Sequence, residues 1–126
     1  MLKLSRLGRA SRGTTAEQLA ERHLVEAGLR IVERNYRCRA GEIDLIAESS
    51  DGELLVVEVR YRGSASHGGA AASVSRHKQQ RIVQATRHYL AAHPQRFDQP
   101  LRFDVVALQG SLEHPQLSWI QDAFQL

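Results

Sequence analysis

The turn signal Ser50-Asp51-Gly52 separates two apolar runs, GEIDLIAE and ELLVVEVR, and each run carries an acid where hydrocarbon is expected. Asp44 sits between Ile43 and Leu45, and Glu58 between Val57 and Val59. Two such runs joined by a turn read as a β-hairpin, and the register of that hairpin constrains the rest of the chain. A two-residue Asp-Gly turn would pair Ser50 with Glu53. It would then set Leu45 against Glu58 and Asp44 against Val59, mixing charge with hydrocarbon on both faces. A three-residue loop with Gly52 left-handed pairs Ser49 with Glu53 instead. One face becomes Ile43–Val59, Leu45–Val57 and Ala47–Leu55. The other becomes Glu42–Arg60, Asp44–Glu58, Ile46–Val56 and Glu48–Leu54. A slip of one residue would invert every side chain, so the second register is the expected one.

That register sets two carboxylates opposite each other, with Cβ atoms about 5 Å apart. Like charges so placed repel, and burial adds a desolvation cost. A proton on one carboxylate or a cation between the two relieves the conflict. A hard divalent ion, Mg²⁺ or Mn²⁺, suits a few carboxylates and several waters.

Around the hairpin the chain reads as one α/β domain. Thr14-Thr15-Ala16-Glu17 has capping-box spacing, and Ala16, Leu19, Ala20, Leu24 and Ala27 follow at helical period. Gly28 suits the helix end. Residues 29–38 alternate as a strand. Residues 64–72 are a small-residue loop around Gly68-Gly69. A second helix is expected over residues 74–92, with Val74, Ile82, Ala85 and Tyr89 on one side and Pro94 closing it. LRFDVVAL, residues 101–108, is a further strand, to be reached by a right-handed parallel crossover. Asp104 breaks that strand and calls for a structural partner such as an arginine. The tail is expected to pack Trp119, Ile120 and Phe124 on the core. The order is α-β-β-β-α-β plus a tail. Residues 1–13 read as a basic flexible arm and 14–126 as a single domain.

Cys38 is the sole cysteine, which excludes an intramolecular disulfide and a cysteine-built metal cluster. No apolar run approaches the roughly 20 residues of a membrane span, and the basic start lacks a signal-peptide core. A cytoplasmic protein is expected. The net charge of +3 conceals segregation. Residues 40–58 hold six acids and no base, whereas residues 59–97 hold seven bases and no acid. The pattern suits either an anionic partner meeting a basic rim around an acidic centre, or a solvated basic helix. There is no P-loop, GxGxxG or HExxH.

Asp44, a turn and then Glu58-Val59-Arg60 resemble the PD-(D/E)xK nuclease motif. More closely, AEQLAERHL, RNYRCRAGEIDLIA, VVEVRYR, the Lys78 region and RFDVVAL, ending in DAF, resemble the YraN-like family of small bacterial proteins, regarded as distant relatives of archaeal Holliday junction resolvases. The resemblance covers nearly the whole chain after the arm. It implies a restriction-endonuclease-like fold and phosphodiester hydrolysis in DNA, branched DNA included, by a water that a divalent ion activates. It also implies a homodimer, by analogy with the resolvases. It places metal binding at Glu17, Asp44 and Glu58, and puts Arg60 where the resolvases have a lysine that assists the attacking water. Arginine does not deprotonate in proteins and cannot serve as a general base. It can still grip a phosphate oxygen.

The individual residues carry alternatives. Glu17 either completes the capping box with Thr14 or joins the metal site, and the two are compatible. Glu42 either neutralises Arg60 or belongs to the site. Lys78 lies on the apolar stripe of the second helix. Either it runs along the core edge with its ammonium in water, or it supplies the positive group missing from the motif and joins Asp44, Glu58 and Arg60 in catalysis. Arg76, His77 and Lys78 crowd the first turns of that helix, where the macrodipole disfavours cations; a phosphate there would ease the conflict. Arg37, Arg39, Arg62, Arg76 and Lys78 are the candidate nucleic-acid contacts. Tyr36 and Tyr61 among them either stack on bases or sit at solvated strand edges. Two other functions fit the same residues: a nucleic-acid binder with a decayed nuclease site, and an assembly factor whose basic rim meets an acidic protein.

Overall fold

The computed structural model describes residues 11–63 and 74–125, with 11–14 as backbone only. The elements are α1 (Ser11–Glu26), β1 (Arg30–Cys38), β2 (Gly41–Glu48), β3 (Leu54–Arg62), α2 (Arg76–Ala92), a 3-10 turn (Pro94–Arg96), β4 (Leu101–Gln109) and β5 (Gln116–Phe124). They form one five-stranded sheet in the order β1-β2-β3-β4-β5. Only β3 and β4 are parallel; every other neighbour pair is antiparallel. A mixed sheet flanked by two helices is the arrangement of a restriction-endonuclease-like core, as expected.

The helix α1 extends upstream of the expected start at Thr14. Thr14 therefore lies inside the helix, and the capping box does not begin it. The far end follows its sequence signal. Gly28 adopts φ 100, Gly28 N–H donates to the Val25 carbonyl and Leu29 N–H to that of Leu24, the paired bonds of a Schellman stop. The expected arm falls mostly in residues 1–10 and the glycine loop in 64–72, both outside the described residues.

The hairpin has the expected register. Ser49 N–H donates to the Glu53 carbonyl, Gly52 has φ 87, and the ladder runs from Glu48–Leu54 to Leu45–Val57. Two apolar layers cover the sheet. Ala16, Ala20 and Leu24 of α1 pack on Leu45, Ala47, Leu55, Val57, Val106 and Leu108. Ile82, Ala85 and Tyr89 of α2 pack on Ile43, Ile46, Leu54, Val56 and Phe103.

One face assignment differs from expectation. Ile43 belongs to the α2 layer, although Leu45, two residues on, belongs to the α1 layer. The partner strand does the same: Arg34, opposite Leu45, reaches α1, whereas Tyr36, opposite Ile43, packs in the α2 layer. Both strands switch face between these two rungs. The start of β2 is drawn against α2 so closely that a Cβ on Gly41 would stand 2.5 Å from the Arg81 carbonyl oxygen.

The tail is a full strand, β5, along β4. Asp104 holds it there. This fully buried carboxylate accepts two hydrogen bonds from Arg102, at 2.9 and 3.1 Å, one from Trp119 Nε1 at 2.8 Å and one from Asp122 N–H at 2.9 Å. The arginine partner expected for Asp104 is therefore present. Trp119 packs on the α1 layer and Phe124 on the α2 layer.

Candidate functional site: a carboxylate pocket where the hairpin opens

The pocket lies past the last rung of the β2–β3 ladder. Continuing the register would next give the pair Asp44–Glu58 and then a hydrogen-bonded rung between Ile43 and Val59. That rung is replaced: Val59 N–H donates to Asp44 Oδ2 at 2.8 Å. The Asp44 side chain has taken the place of a backbone carbonyl, which the face switch of β2 makes possible by swinging Ile43 toward α2. The strands part, and the gap is lined by Ala16, Glu17, Asp44, Glu58, Val59, Arg60, Tyr61 and Lys78, about 280 Å³ in volume. A phosphate group with several waters fits such a space.

The carboxylates repel one another through poorly hydrated surroundings. Asp44 is 9% exposed and Glu58 is 4% exposed. Burial, then the charge of Asp44, raises Glu58 to about 7. Burial also raises Asp44, against the opposing pull of the Val59 N–H. Glu17, on the turn of α1 above Asp44, is likewise raised to about 7 by burial and then by Asp44, while a hydrogen bond from Asn35 and the charge of Arg37 oppose the rise.

Two cations answer the acids. Lys78 Nζ stands 3.2 Å from Glu58 Oε2, and Arg60 Nη1 stands 3.5 Å from the same oxygen. Lys78 thus leaves the apolar stripe and enters the pocket, and it is the nearer of the two. Ser75 makes this possible: its Oγ accepts the Lys78 N–H at 3.1 Å and starts α2 there.

Of the residues singled out in the sequence, Glu17, Asp44, Glu58, Arg60 and Lys78 all line the one pocket. Arg37, Arg39, Arg62 and Arg76 lie on the exposed surface outside its lining. Glu42 is the cross-strand partner of Arg37, and not of Arg60 as the extended register had it. Both tyrosines are half-buried and anchored rather than solvated strand edges. Tyr36 packs edge-on against Tyr89 and bonds His88 Nδ1, and the Tyr61 hydroxyl donates to the Gly110 carbonyl at 2.8 Å. Asn35, opposite Asp44 on β1, has φ 52, a left-handed residue in mid-strand that the polar–apolar pattern does not signal.

The donor set suits a hard divalent cation in kind: three carboxylates, two of them buried, all raised first by burial, with the charge of Asp44 adding to the rise of Glu17 and Glu58. Among the described residues no three acids are closed to ligating distance; the Glu58 carboxyl is engaged by Lys78 and Arg60. A cation would draw on Asp44, Glu58 and Glu17. No helix among the described residues is long and apolar enough to cross a membrane.

Fold and pocket together define a small α/β domain of nuclease-like architecture with an acidic centre and basic flanks. Residues 16–108 match the profile of the uncharacterised protein family UPF0102, the YraN-like family, and the chain belongs to it. It is 57% identical to a UPF0102 protein of Aeromonas hydrophila, over 90% of this chain and 85% of that one. It is 51% identical to one of Saccharophagus degradans, over 90% and 92%, and 47% identical to one of Alcanivorax borkumensis, over 89% and 90%.

Proposed function

We propose that this protein is a metal-dependent nuclease that hydrolyses phosphodiester bonds in DNA, with branched DNA as a candidate substrate. The observation that carries the reading is the meeting of Asp44, Glu58 and Glu17 with Lys78 in one pocket drawn from four separate elements. A structural ion pair needs two of these residues; three partly or fully buried carboxylates gathered around one pocket beside a lysine suit metal-assisted chemistry. Bound Mg²⁺ or Mn²⁺ would activate the attacking water and neutralise charge developing on the phosphate.

The chain's own residues have separable tasks. Asp44, fixed by the Val59 N–H, offers its second oxygen to the pocket. Glu58 would serve as a metal ligand, and a cation competing for its oxygens would weaken its hold on Lys78, whose ammonium could then face the substrate phosphate, the task assigned to the motif lysine. Arg60 is left to grip a phosphate oxygen with its planar fork. Arg37, Arg39, Arg62 and Arg76 supply charge for the flanking backbone.

The test is a cleavage screen over single-stranded, duplex and four-way-junction DNA with Mg²⁺ or Mn²⁺. Metal-dependent cutting that Asp44→Asn and Glu58→Gln each abolish is the expected result. Salt-sensitive binding without cutting under either metal would favour the non-catalytic binder. Neither binding nor metal affinity would leave the assembly factor.

A further inference from the structure

The arginines of this chain differ in what meets their charge. Arg30, Arg34, Arg96 and Arg102 each close on a carboxylate, of Glu48, Glu21, Glu48 and Asp104 in turn. Arg76, Arg81 and Arg87 of α2 are exposed, and among the described residues none of the three has an ion-pair partner. The composition of α2 is the reason. RHKQQRIVQATRHYLAA contains no acid, and every exposed position in it is Arg, His, Gln or Ala. A surface helix can offset its bases with acids three or four residues away. The exposed side of α1 is mixed, with Arg22, Val25 and Glu26. On α2 the charge stays uncompensated, and Arg76 adds to it at the end where the macrodipole disfavours a cation.

This face begins at the pocket. Lys78 turns inward to Glu58 from the first turns of α2, and Arg81, one turn on, has its backbone carbonyl against Gly41. The turn between β1 and β2 therefore abuts the helix there, and exposed Arg39 lies on that turn, just before Gly41. From Arg76 to Arg87 the helix rises about 16 Å, the length of about five base pairs of duplex.

We infer that the solvent face of α2, from Arg76 through Arg81 to Arg87, is the track on which the sugar–phosphate backbone of a DNA arm leaves the pocket. The inference rests on the nucleic-acid reading above and adds where the flanking duplex lies. The arginines neutralise phosphates, and the glutamines and histidines between them are further donors to backbone oxygens. An acidic protein is the competing polyanion. Protein interfaces centre on aromatic or large apolar anchors, and this face exposes no apolar residue larger than alanine. A nucleic-acid interface is more polar and strongly basic.

Filter binding of duplex and four-way-junction DNA across salt concentrations, without divalent metal, tests this apart from cleavage. Four proteins are compared: the natural chain, Arg81→Gln with Arg87→Gln, Arg81→Lys with Arg87→Lys, and Arg22→Gln on the helix that covers the other sheet face. Glutamine and lysine are good helix formers, so each variant should melt within a few degrees of the natural chain. The glutamine pair should lower the log–log salt slope by about two and bind about 10²-fold more weakly at about 0.1 M salt. Each single glutamine substitution should take about one from the slope, which carries the test should the pair fail to fold. The lysine pair keeps both charges and should hold the natural slope, as should Arg22→Gln. A lysine pair that loses as much as the glutamine pair would mark a structural role and overturn the inference. So would a loss with Arg22→Gln equal to that of either single substitution, which would mark a general effect of net charge. No DNA binding by the natural chain would overturn the nucleic-acid reading and this inference together; natural binding with an unchanged slope for the glutamine pair would overturn this inference alone.

Discussion

Asp44 Oδ2 stands 2.8 Å from the backbone nitrogen of Val59, where the carbonyl of Ile43 would stand in an unbroken hairpin. The carboxylate therefore has a structural task and a chemical one, and the two can be separated by substitution.

Asn in place of Asp44 can still accept the Val59 N–H, whereas Ala cannot. Asp44→Asn also removes the charge that repels Glu17 and Glu58. It should melt at or above the natural temperature while losing metal affinity. Asp44→Ala should be less stable than Asp44→Asn by about 1–3 kcal/mol, the cost of a buried N–H without an acceptor. Chemical denaturation of the two variants side by side measures that gap.

Stability without metal should fall as pH rises. Glu17 and Glu58 both titrate near 7 in the folded chain against 4.5 ordinarily. A raised carboxyl pKa means that the folded state binds the proton more tightly than the unfolded chain. The stabilisation is complete below the ordinary value and is lost as pH climbs through about 7. Melting temperature should therefore decline between about pH 4.5 and about pH 7, and saturating Mg²⁺ should flatten the decline. Below about pH 4.5 the slope reverses, because Glu21 and Glu48, lowered by Arg34 and by Gln99, must then take up protons. A metal-free melting temperature that rises through neutrality would contradict the assignment.

Lys78 and Arg60 should not be interchangeable. Lys78→Met should cost about 10²–10³-fold in cleavage rate, the usual loss for one charge-stabilising donor. Arg60→Lys should lower the rate by about tenfold through loss of the bidentate fork. A gain in rate with Arg60→Lys would mean that position 60 is a decayed motif lysine, and that Lys78 does not replace it.

DNA affinity should fall steeply with salt, and the log–log slope should shrink by about one for each phosphate-contacting arginine removed among Arg37, Arg39, Arg62 and Arg76. Filter binding across salt concentrations gives the slope. An unchanged slope for all four would move the DNA path to another face.

Asp104→Ala should destabilise the fold by about 1–3 kcal/mol for each N–H left without an acceptor, Trp119 Nε1 and Asp122 N–H, while Arg102 keeps its pair with Glu53. Metal affinity of whatever remains folded should be unchanged, because Asp104 lies outside the pocket lining.

The hairpin register and the approach of Asp44 to Glu58 were legible because they follow from period-two alternation and a turn rule; helical spacing placed Lys78 on the apolar stripe and left its entry into the pocket open. The face switch was not. It depends on one left-handed residue, Asn35, and on the pull of α2 against Gly41, neither of which alters the polar–apolar pattern. The tail was read as packing but not as a strand, since WIQDAF alternates poorly and β5 bulges around Asp104. The start of α1 was misplaced for a related reason: a capping-box spacing inside a helix looks the same as one at its end.

The contact between Gly41 and the Arg81 carbonyl has a mechanical consequence. It acts as a stop against which α2 rests, and Lys78 is carried on the same helix one turn before that stop. With no side chain at position 41, the helix seats at full depth and the lysine arrives over Glu58. A single methyl group at position 41 would hold the helix off the sheet and lift the ammonium with it. The depth of a helix, set by the smallest residue in the hairpin, thereby becomes the reach of a charge in the pocket.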